Sequence, residues 1–224
     1  MLLLKEAIIS GLFQIYFKQM HIAVSGNIGS GKTTLTEKLA KHYGWKAEFE
    51  AVDNNPYLAD FYEDMKRWSF HLQVYFLNSR FNQINLIQNS NISIIQDRTI
   101  YEDAYIFAAN LYKSNLISQR DYENYLNLFH SMINFVKAPD LLIYLKADIP
   151  KLVGQIEKRG RDYENAIRID YLKNLNSHYE DWIAAYDKGK LLIVDVNDMD
   201  FVANQEDFSA IVGQVDREIF GLFS

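Results

Sequence analysis

The sequence predicts one α/β domain with a five-stranded parallel sheet and helices on both faces of that sheet. Short apolar runs alternate with longer segments whose apolar residues recur every three or four positions, the respective patterns of strands and helices. The run LLIYL at 141–145 is apolar throughout, which is typical of a buried parallel strand. Because strands alternate with helices, we expect right-handed crossovers between parallel strands.

The first strand is predicted at 20–25 and the first helix at roughly 31–43. Between them, GNIGSGKTT at 26–34 fits the phosphate-binding pattern G-x-x-x-x-G-K-[ST]. Backbone N–H groups can face phosphate oxygens, Lys32 can reach the β- and γ-phosphates, and Thr33 offers a hydroxyl to Mg²⁺. A glycine-rich turn without a ligand would not need that lysine and threonine. The expected ATP-binding residues are Gly26, Asn27, Ile28, Gly29, Ser30, Gly31, Lys32, Thr33 and Thr34.

The later elements follow from the same periodicities and from local breakers. Asn54-Asn55-Pro56 ends the second strand, Ser118 is a plausible helix cap, and Pro150 fits the first turn of a helix that runs toward Arg159. Further strands are predicted at 46–52, 92–96, 141–145 and 191–196, and further helices at 57–66, 69–88, 102–113, 118–137, 148–159, 164–187 and 205–222.

Composition narrows the classes of partner. The 224 residues suffice for one sizeable core, and a formal charge of −6 with interspersed signs leaves no basic stripe for a nucleic-acid backbone. There is no cysteine, which excludes disulfides and thiolate chemistry and suits a cytoplasmic location. No apolar run reaches the roughly 18–20 residues of a membrane span. We therefore expect neither a nucleic-acid nor a membrane partner.

Residues 1–19 differ in pattern from the rest of the chain. They crowd apolar residues behind one early lysine and show no small-residue cleavage site, which makes a poor signal peptide. Met20 comes immediately before the first predicted strand. We therefore expect residues 1–19 to be an upstream extension that is not native, and the functional domain to span 20–224. A mature N-terminus at Met1, seen by mass spectrometry of the native protein, would contradict this.

Polar residues follow several predicted strands, at the edge where ligands bind in open parallel sheets. Phosphoryl transfer to a hydroxyl needs a carboxylate to accept a proton and cations to hold the transferring charge. Glu50 can be that carboxylate, and Asp97 is placed to hold Mg²⁺ directly or through water. The alternatives are a solvated charge for Glu50 and a structural ion pair for Asp97-Arg98. The expected catalytic cations are Lys32, Arg98, Arg159 and Arg161.

A phosphate loop alone fits kinases, GTPases and motor-type ATPases equally. The chain has no Asn-Lys-x-Asp motif for reading guanine, and no second strand that carries an acidic pair. Both observations favour a kinase with the P-loop fold.

From Met20 onward the chain resembles the deoxynucleoside kinases, particularly the bacterial deoxyadenosine/deoxyguanosine kinase branch, which is similar in fold to deoxycytidine kinase. The resemblance covers nearly all of 20–224 and is more specific than the phosphate loop alone, since several sequence motifs keep the family's order and spacing. The matching motifs are GNIGSGKTT, FEAVDNNPYLADFYED, WSFHLQVYFLNSRF, QDRTIYEDAYIFA, PDLLIYL and IEKRGRDYE. It implies transfer of the γ-phosphoryl group of ATP to a deoxynucleoside with Mg²⁺, in a homodimer that pairs through helices away from the phosphate loop.

The resemblance also implies roles for individual residues. Glu50 looks like the general base for the nucleoside 5′-hydroxyl with Arg98 beside it, and Gln73 is similar to the glutamine that pairs with the base edge. Phe107 falls where the family stacks an aromatic ring on the base. The residues that match the 3′-hydroxyl ligands are Tyr62 and Glu164, and those that match the lid over the transferring phosphate are Arg159 and Arg161.

Arg80 and Asp103 lie where an arginine and an aspartate mark family members that accept deoxycytidine and purines, whereas thymidine-preferring relatives generally lack the pair. We therefore expect a purine deoxynucleoside as the main acceptor; a purely stabilising ion pair is the alternative and is compatible with it. The chain departs from the family's pattern in two places, one at the wall of the acceptor site and one at the expected metal ligand. Ala51 and Asn55 replace a proline and a tryptophan of animal members, and Asp97 replaces their glutamate.

Two rival functions remain open from the sequence. A nucleoside monophosphate kinase would need additional basic residues to hold an acceptor phosphate, beside which Glu50 would be badly placed. A nucleotide-binding regulatory module would keep the phosphate loop yet tolerate the loss of Glu50.

Overall fold

The computed structural model describes residues 19–50, 55–160 and 168–221. Within these ranges one parallel sheet contains five strands: β1 (His21–Gly26), β2 (Lys46–Glu48), β3 (Ile94–Asp97), β4 (Leu141–Lys146) and β5 (Lys190–Asp195). Their order is β2-β3-β1-β4-β5, with every pair parallel. The predicted sheet is therefore confirmed, and β1, which delivers the phosphate loop, lies at its centre.

Helices cover both faces of the sheet, as the sequence predicts. The described helices are α1 (Lys32–Tyr43), α2 (Leu58–Glu63), α3 (Met65–Gln88), α4 (Ile100–Glu102), a π-helical segment (Asp103–Ala108), α5 (Ala109–Lys113), α6 (Gln119–Ile133), α7 (Ile149–Arg159), α8 (Ile169–Ala184) and α9 (Gln205–Phe220). On one face, α1, α7 and α9 bury residues such as Leu35, Leu152 and Ile211 against the sheet. On the other face, Leu175 and Tyr179 of α8 pack on β4.

The sequence predicts strand β2 at 46–52, but the strand already ends at Glu48. It lies at the edge of the sheet and pairs only with β3, from Lys46 opposite Ile94 to Glu48 opposite Gln96. Beyond it the backbone oxygen of Phe49 accepts a hydrogen bond from Gln83 Nε2 at 2.8 Å, so this carbonyl bonds to α3 instead of the ladder. Glu50 therefore lies two residues past the strand, not at its end.

Several helix boundaries differ from the predicted ones for local reasons. The break between α2 and α3 falls at Asp64, whose carboxylate caps α3 by accepting from Arg67 N at 3.1 Å. Ser118 caps α6 as predicted, accepting from Asp121 N at 3.2 Å. The predicted helix at 102–113 begins earlier, at Ile100, and the π-helical segment interrupts it. Such segments are rare and occur often at functional sites.

Among the residues that the structure describes, no helix is long and apolar enough to cross a membrane. Residues 1–18 of the predicted extension lie outside the described ranges, as does part of the helix predicted at 164–187.

Candidate active site

The carboxyl ends of β1 and β3, together with the chain beyond β2, border a cavity of about 300 Å³. This volume is at the lower end of the roughly 300–1,000 Å³ common for small-molecule pockets. Many of the sequence-predicted site residues line it. They are Ile28, Gly29, Lys32, Thr33, Glu50, Tyr62, Gln73, Asp97, Arg98, Asp103, Phe107 and Arg159.

The phosphate loop has a shape that requires glycine at several points, as Gly26 and Gly31 show. Gly26 has φ 148°, and a Cβ there would lie 2.6 Å from Ser30 Oγ and 2.9 Å from the backbone oxygen of Leu145. Gly31 has φ 94°, and a Cβ there would lie 2.8 Å from the ring of Phe201. Both residues therefore need glycine for backbone conformation and for space. Like Asn27, Ser30 and Thr34, they shape the loop without lining the cavity.

Lys32 lies buried under this loop. Its Nζ donates a hydrogen bond to the backbone oxygen of Asn27 at 2.9 Å. Burial, followed by the positive charge of Arg98, lowers the pKa of Lys32 to about 8. The phosphates of a bound triphosphate would place negative charge beside Lys32 and so favour its protonated form.

Thr33 and Asp97 meet at the mouth of the loop. Thr33 Oγ1 donates to Asp97 Oδ2 at 2.5 Å, while the buried Oδ1 of Asp97 has no hydrogen-bond partner among the described residues. Hydroxyl and carboxylate oxygens suit Mg²⁺, which is usually held by one or two protein oxygens together with substrate phosphates. The described residues contain no cluster of three histidine or acidic side chains for a metal. The residues present therefore fit a magnesium ion carried by a nucleotide.

Glu50 is held between two arginines. Its Oε1 lies 3.0 Å from Arg80 Nη2 and 3.5 Å from Arg98 Nε. Burial opposes ionisation of this carboxyl, but the charges of Arg98 and Arg80 outweigh burial and keep the pKa of Glu50 below its usual value. Glu50 is thus ionised near neutral pH and able to accept a proton.

Arg80 does not line the cavity, yet it connects three of its parts. Besides Glu50, its Nε lies 3.4 Å from Asp103 Oδ2 and its Nη1 donates to the backbone oxygen of Asp97 at 2.9 Å. Because the Arg80 guanidinium interacts with two carboxylates, its positive charge only partly offsets the cost of burying the Asp103 carboxylate. Burial raises the pKa of Asp103 to about 7 against the opposing charge of Arg80.

The inner part of the cavity combines an amide with aromatic rings. Gln73 is 4% exposed, and its Oε1 has no hydrogen-bond partner among the described residues. A buried amide oxygen with an unmet acceptor is suited to a donor on a ligand. The ring of Phe107 lies 4.4 Å from the guanidinium carbon of Arg98, a cation–π contact that holds both groups at the cavity wall.

Two predicted residues lie outside the described ranges, namely Arg161 and Glu164. Of the predicted lid, Arg159 at the end of α7 reaches the cavity.

Sequence reasoning missed several residues of the cavity wall. Glu37 follows Thr33 by one helical turn, and Leu72 and Phe76 flank Gln73 on α3, so helical spacing could have found them. Tyr171 at the start of α8 gave no comparable signal. The wall residues without a predicted role are Glu37, Phe49, Leu58, Phe61, Leu72, Phe76 and Tyr171.

This geometry places a phosphate loop, a magnesium-compatible oxygen pair and an ionised carboxylate around one space. Glu50, Arg98 and Lys32 line the same cavity, and Glu50 Oε1 lies 3.5 Å from Arg98 Nε, so the cavity offers a carboxylate for a hydroxyl and cations for a phosphoryl group. Positioning and charge stabilisation of this kind are what phosphoryl transfer requires.

Known proteins are similar to this chain over most of its length. A protein-family model described as "Deoxynucleoside kinase" matches residues 22–220. The chain is 40% identical over 200 residues to the deoxyadenosine/deoxycytidine kinase of Bacillus subtilis, with 88% of this chain and 92% of that protein covered. It is 37% identical over 205 residues to the deoxyguanosine kinase of Lactobacillus acidophilus, with 87% and 88% covered. The solved structure of deoxyadenosine kinase from M. mycoides with bound dATP has a TM-score of 0.78 at 31% identity, with 88% of this chain and 100% of that chain covered.

Proposed function

This chain belongs to the deoxynucleoside kinase family and is a phosphotransferase, and on that premise we propose that it transfers the γ-phosphoryl group of ATP to the 5′-hydroxyl of a purine deoxynucleoside in nucleotide salvage. The single observation that carries the proposal is the position of Glu50. Its ionised carboxylate is held by Arg80 and Arg98 inside the cavity that the phosphate loop borders. A triphosphate-binding module without transfer to a hydroxyl would have no use for a carboxylate in that place.

The proposed roles follow from these contacts. Glu50 accepts the proton of the 5′-hydroxyl, and Lys32 and Arg98 stabilise charge on the transferring group. Thr33 and Asp97 hold Mg²⁺, which when bound neutralises phosphate charge. Arg159, at the end of α7, and Arg161 are proposed to cover the donor phosphates as a lid.

The acceptor side is proposed to select the base and sugar. Gln73 offers a donor and an acceptor side by side to the base edge, and Phe107 covers the base face. Tyr62 and Glu164 hold the sugar 3′-hydroxyl. Relatives are named as kinases of deoxyadenosine, deoxycytidine or deoxyguanosine, and the contact of Arg80 with Asp103 in this chain supports an acceptor from that set over thymidine.

An acceptor panel tests the proposal. ATP-dependent phosphorylation of the four deoxynucleosides and of their monophosphates should show turnover on deoxyadenosine or deoxyguanosine, and none on the monophosphates. Turnover confined to monophosphates would support the rival kinase instead. Full biological activity of a Glu50→Gln variant would support the regulatory module.

We also propose a cytoplasmic homodimer whose kinase domain spans 20–224, of which the family match covers 22–220. Helices α3 and α6 pack on one another and expose Leu86 and Leu128, which are 72% and 38% exposed. These apolar side chains lie on helices that suit the pairing mode expected for the family. Light scattering should give twice the monomer mass, and the mass should halve in Leu86→Glu/Leu128→Glu. A monomeric wild-type protein at assay concentration would contradict the dimer.

A further inference from the structure

Arg98 has an unusual backbone conformation in the turn between β3 and α4. Its φ is 69°, the left-handed region that residues other than glycine avoid and that persists only where the surroundings enforce it. On the sheet side, the backbone N–H of Arg98 donates to Val24 O at 2.9 Å. This bond restrains the turn on the side of the sheet. A second restraint lies on the side of α4.

Glu102 supplies that second restraint. Its Oε2 accepts hydrogen bonds from the backbone N–H of Thr99 at 2.8 Å and from Thr99 Oγ1 at 3.1 Å. A carboxylate that reaches back to a helix start is ordinary capping. This one differs because it is completely buried and accepts a third bond, from the hydroxyl of Tyr179 at 2.9 Å.

Tyr179 belongs to α8, which also contacts the phosphate loop. Asn27 Nδ2 donates to Asn176 Oδ1 at 2.9 Å and to the backbone oxygen of Leu172 at 3.0 Å. Tyr171, on the same helix, lines the cavity. One helix therefore contacts the donor loop, the acceptor cavity and, through Glu102, the turn that carries Arg98.

We propose that Glu102 and Tyr179 are positioning residues that hold the Arg98 turn in register with the phosphate loop. The inference rests on the proposed role of Arg98 in phosphoryl transfer. Neither residue touches the cavity, so they act through the backbone of Thr99 and Arg98.

The position of the Arg98 guanidinium depends strongly on this turn. Its Nε makes no hydrogen bond among the described residues, and the group is placed by the ring of Phe107 at 4.4 Å and by Glu50 Oε1 at 3.5 Å. A small rotation of the turn would move the charge away from the reacting groups. If Arg98 acts mainly on the transferring group, as proposed, such a rotation lowers kcat more than it raises KM.

A matched pair of tyrosine variants separates this role from general stabilisation. Tyr144 and Tyr179 are both buried, their rings stack at 5.8 Å, and each hydroxyl donates to a glutamate. The partner of Tyr144 is Glu180 at 3.1 Å, and among the described residues no hydrogen bond or ion pair joins Glu180 to residues 98–102. In Tyr179→Phe, kcat should fall about tenfold while KM for both substrates stays within about twofold. In Tyr144→Phe, kcat should stay within about twofold at a similar loss of thermal stability.

Two variants at Glu102 complete the test. Glutamine keeps an oxygen for Thr99 and turns its amide toward the oxygen of Tyr179, so Glu102→Gln should retain kcat within about threefold. Glu102→Ala should lose about a hundredfold in kcat. If Glu102→Ala fails to fold, the tyrosine pair decides.

Equal kcat for the two tyrosine variants, or a folded Glu102→Ala protein with kcat within twofold of wild type, would overturn the inference while leaving the proposed function intact. A wild-type protein without activity on any deoxynucleoside would overturn both.

Discussion

Arg80 contacts Glu50 through Nη2 at 3.0 Å and simultaneously contacts Asp103 through Nε at 3.4 Å. A residue proposed to select the acceptor base thus also orients the carboxylate proposed to activate the acceptor hydroxyl. Selection and activation of the acceptor therefore share one guanidinium, and changes at this pair should affect both.

Replacing the pair tests this link. In Arg80→Met/Asp103→Ala, the ratio of rates on deoxyadenosine and thymidine should move toward thymidine. Loss of the arginine also raises the pKa of Glu50, so the acid limb of the kcat/KM profile should shift to higher pH. Steady-state kinetics on both nucleosides from about pH 4 to 8 measure the two effects. An unchanged preference would refute the specificity role, and an unmoved acid limb would refute the link to Glu50.

Glu50 itself should be required for chemistry and dispensable for donor binding. Glu50→Gln removes the proton acceptor and should lower kcat about 10²–10⁴-fold, the usual contribution of a general base. ATP affinity, measured by calorimetry, should change little because the phosphate loop is intact. A variant that keeps more than a tenth of wild-type kcat would contradict the role.

Lys32 makes donor binding sensitive to alkaline pH. The pKa of Lys32 in the nucleotide-free protein is lowered to about 8, so above that pH its neutral amine must take up a proton before it can pair with phosphate. ATP affinity should therefore fall by up to about tenfold per pH unit above 8, with proton uptake seen by calorimetry in buffers of different ionisation enthalpy. Lys32→Arg, which stays protonated, is the matched control. An identical decline in that variant would assign the effect to another group.

Asp103 should make stability depend on pH in the opposite sense from an ordinary paired carboxylate. The pKa of Asp103 is raised from its usual value of 3.8 to about 7 in the folded protein, so the folded state retains a proton that the unfolded state loses as pH rises. The contribution is fully present below the unfolded pKa and is lost as pH rises through about 7, with a slope of at most about 1.4 kcal/mol per pH unit.

The matched comparison is with Asp103→Asn. The difference in unfolding free energy between the wild-type protein and this variant, from denaturant titrations at pH 5 to 8.5, should decrease with rising pH and level off above about 7. A difference that is constant with pH would show that Asp103 does not titrate in this range.

The sheet and the phosphate loop were predictable because their signals are local. Parallel strands are apolar throughout, and Gly26, Gly31, Lys32 and Thr33 stand at a fixed spacing. The contact between Arg80 and Glu50 was not predictable, because it joins α3 to a segment thirty residues earlier that leaves the sheet. No spacing rule connects two such segments.

Contacts between distant segments and irregular helix geometry account for the other features that the sequence did not predict. The capping pair Thr99 and Glu102 could be found from its three-residue spacing, but its link to Tyr179 crosses 77 residues of sequence. The π-helical segment Asp103–Ala108 has no residue signature of its own, so the sequence predicted a continuous helix there. Tyr171 reaches the cavity only through the placement of α8 against the sheet.

The central position of β1 has a consequence for how such an enzyme can diversify. The donor loop leaves the middle of the sheet, whereas the proposed acceptor residues from Glu50 to Phe107 come from one continuous stretch of chain on the β2–β3 side. Exchange of that stretch between relatives could thus change the preferred nucleoside, provided that Asp97 and Arg98 are kept, while the phosphate loop with Lys32 and Thr33 stays the same. The donor and acceptor parts of the site thus come from separable segments that share one sheet. An exchanged acceptor segment would also have to fit Tyr171 and the region around Glu164.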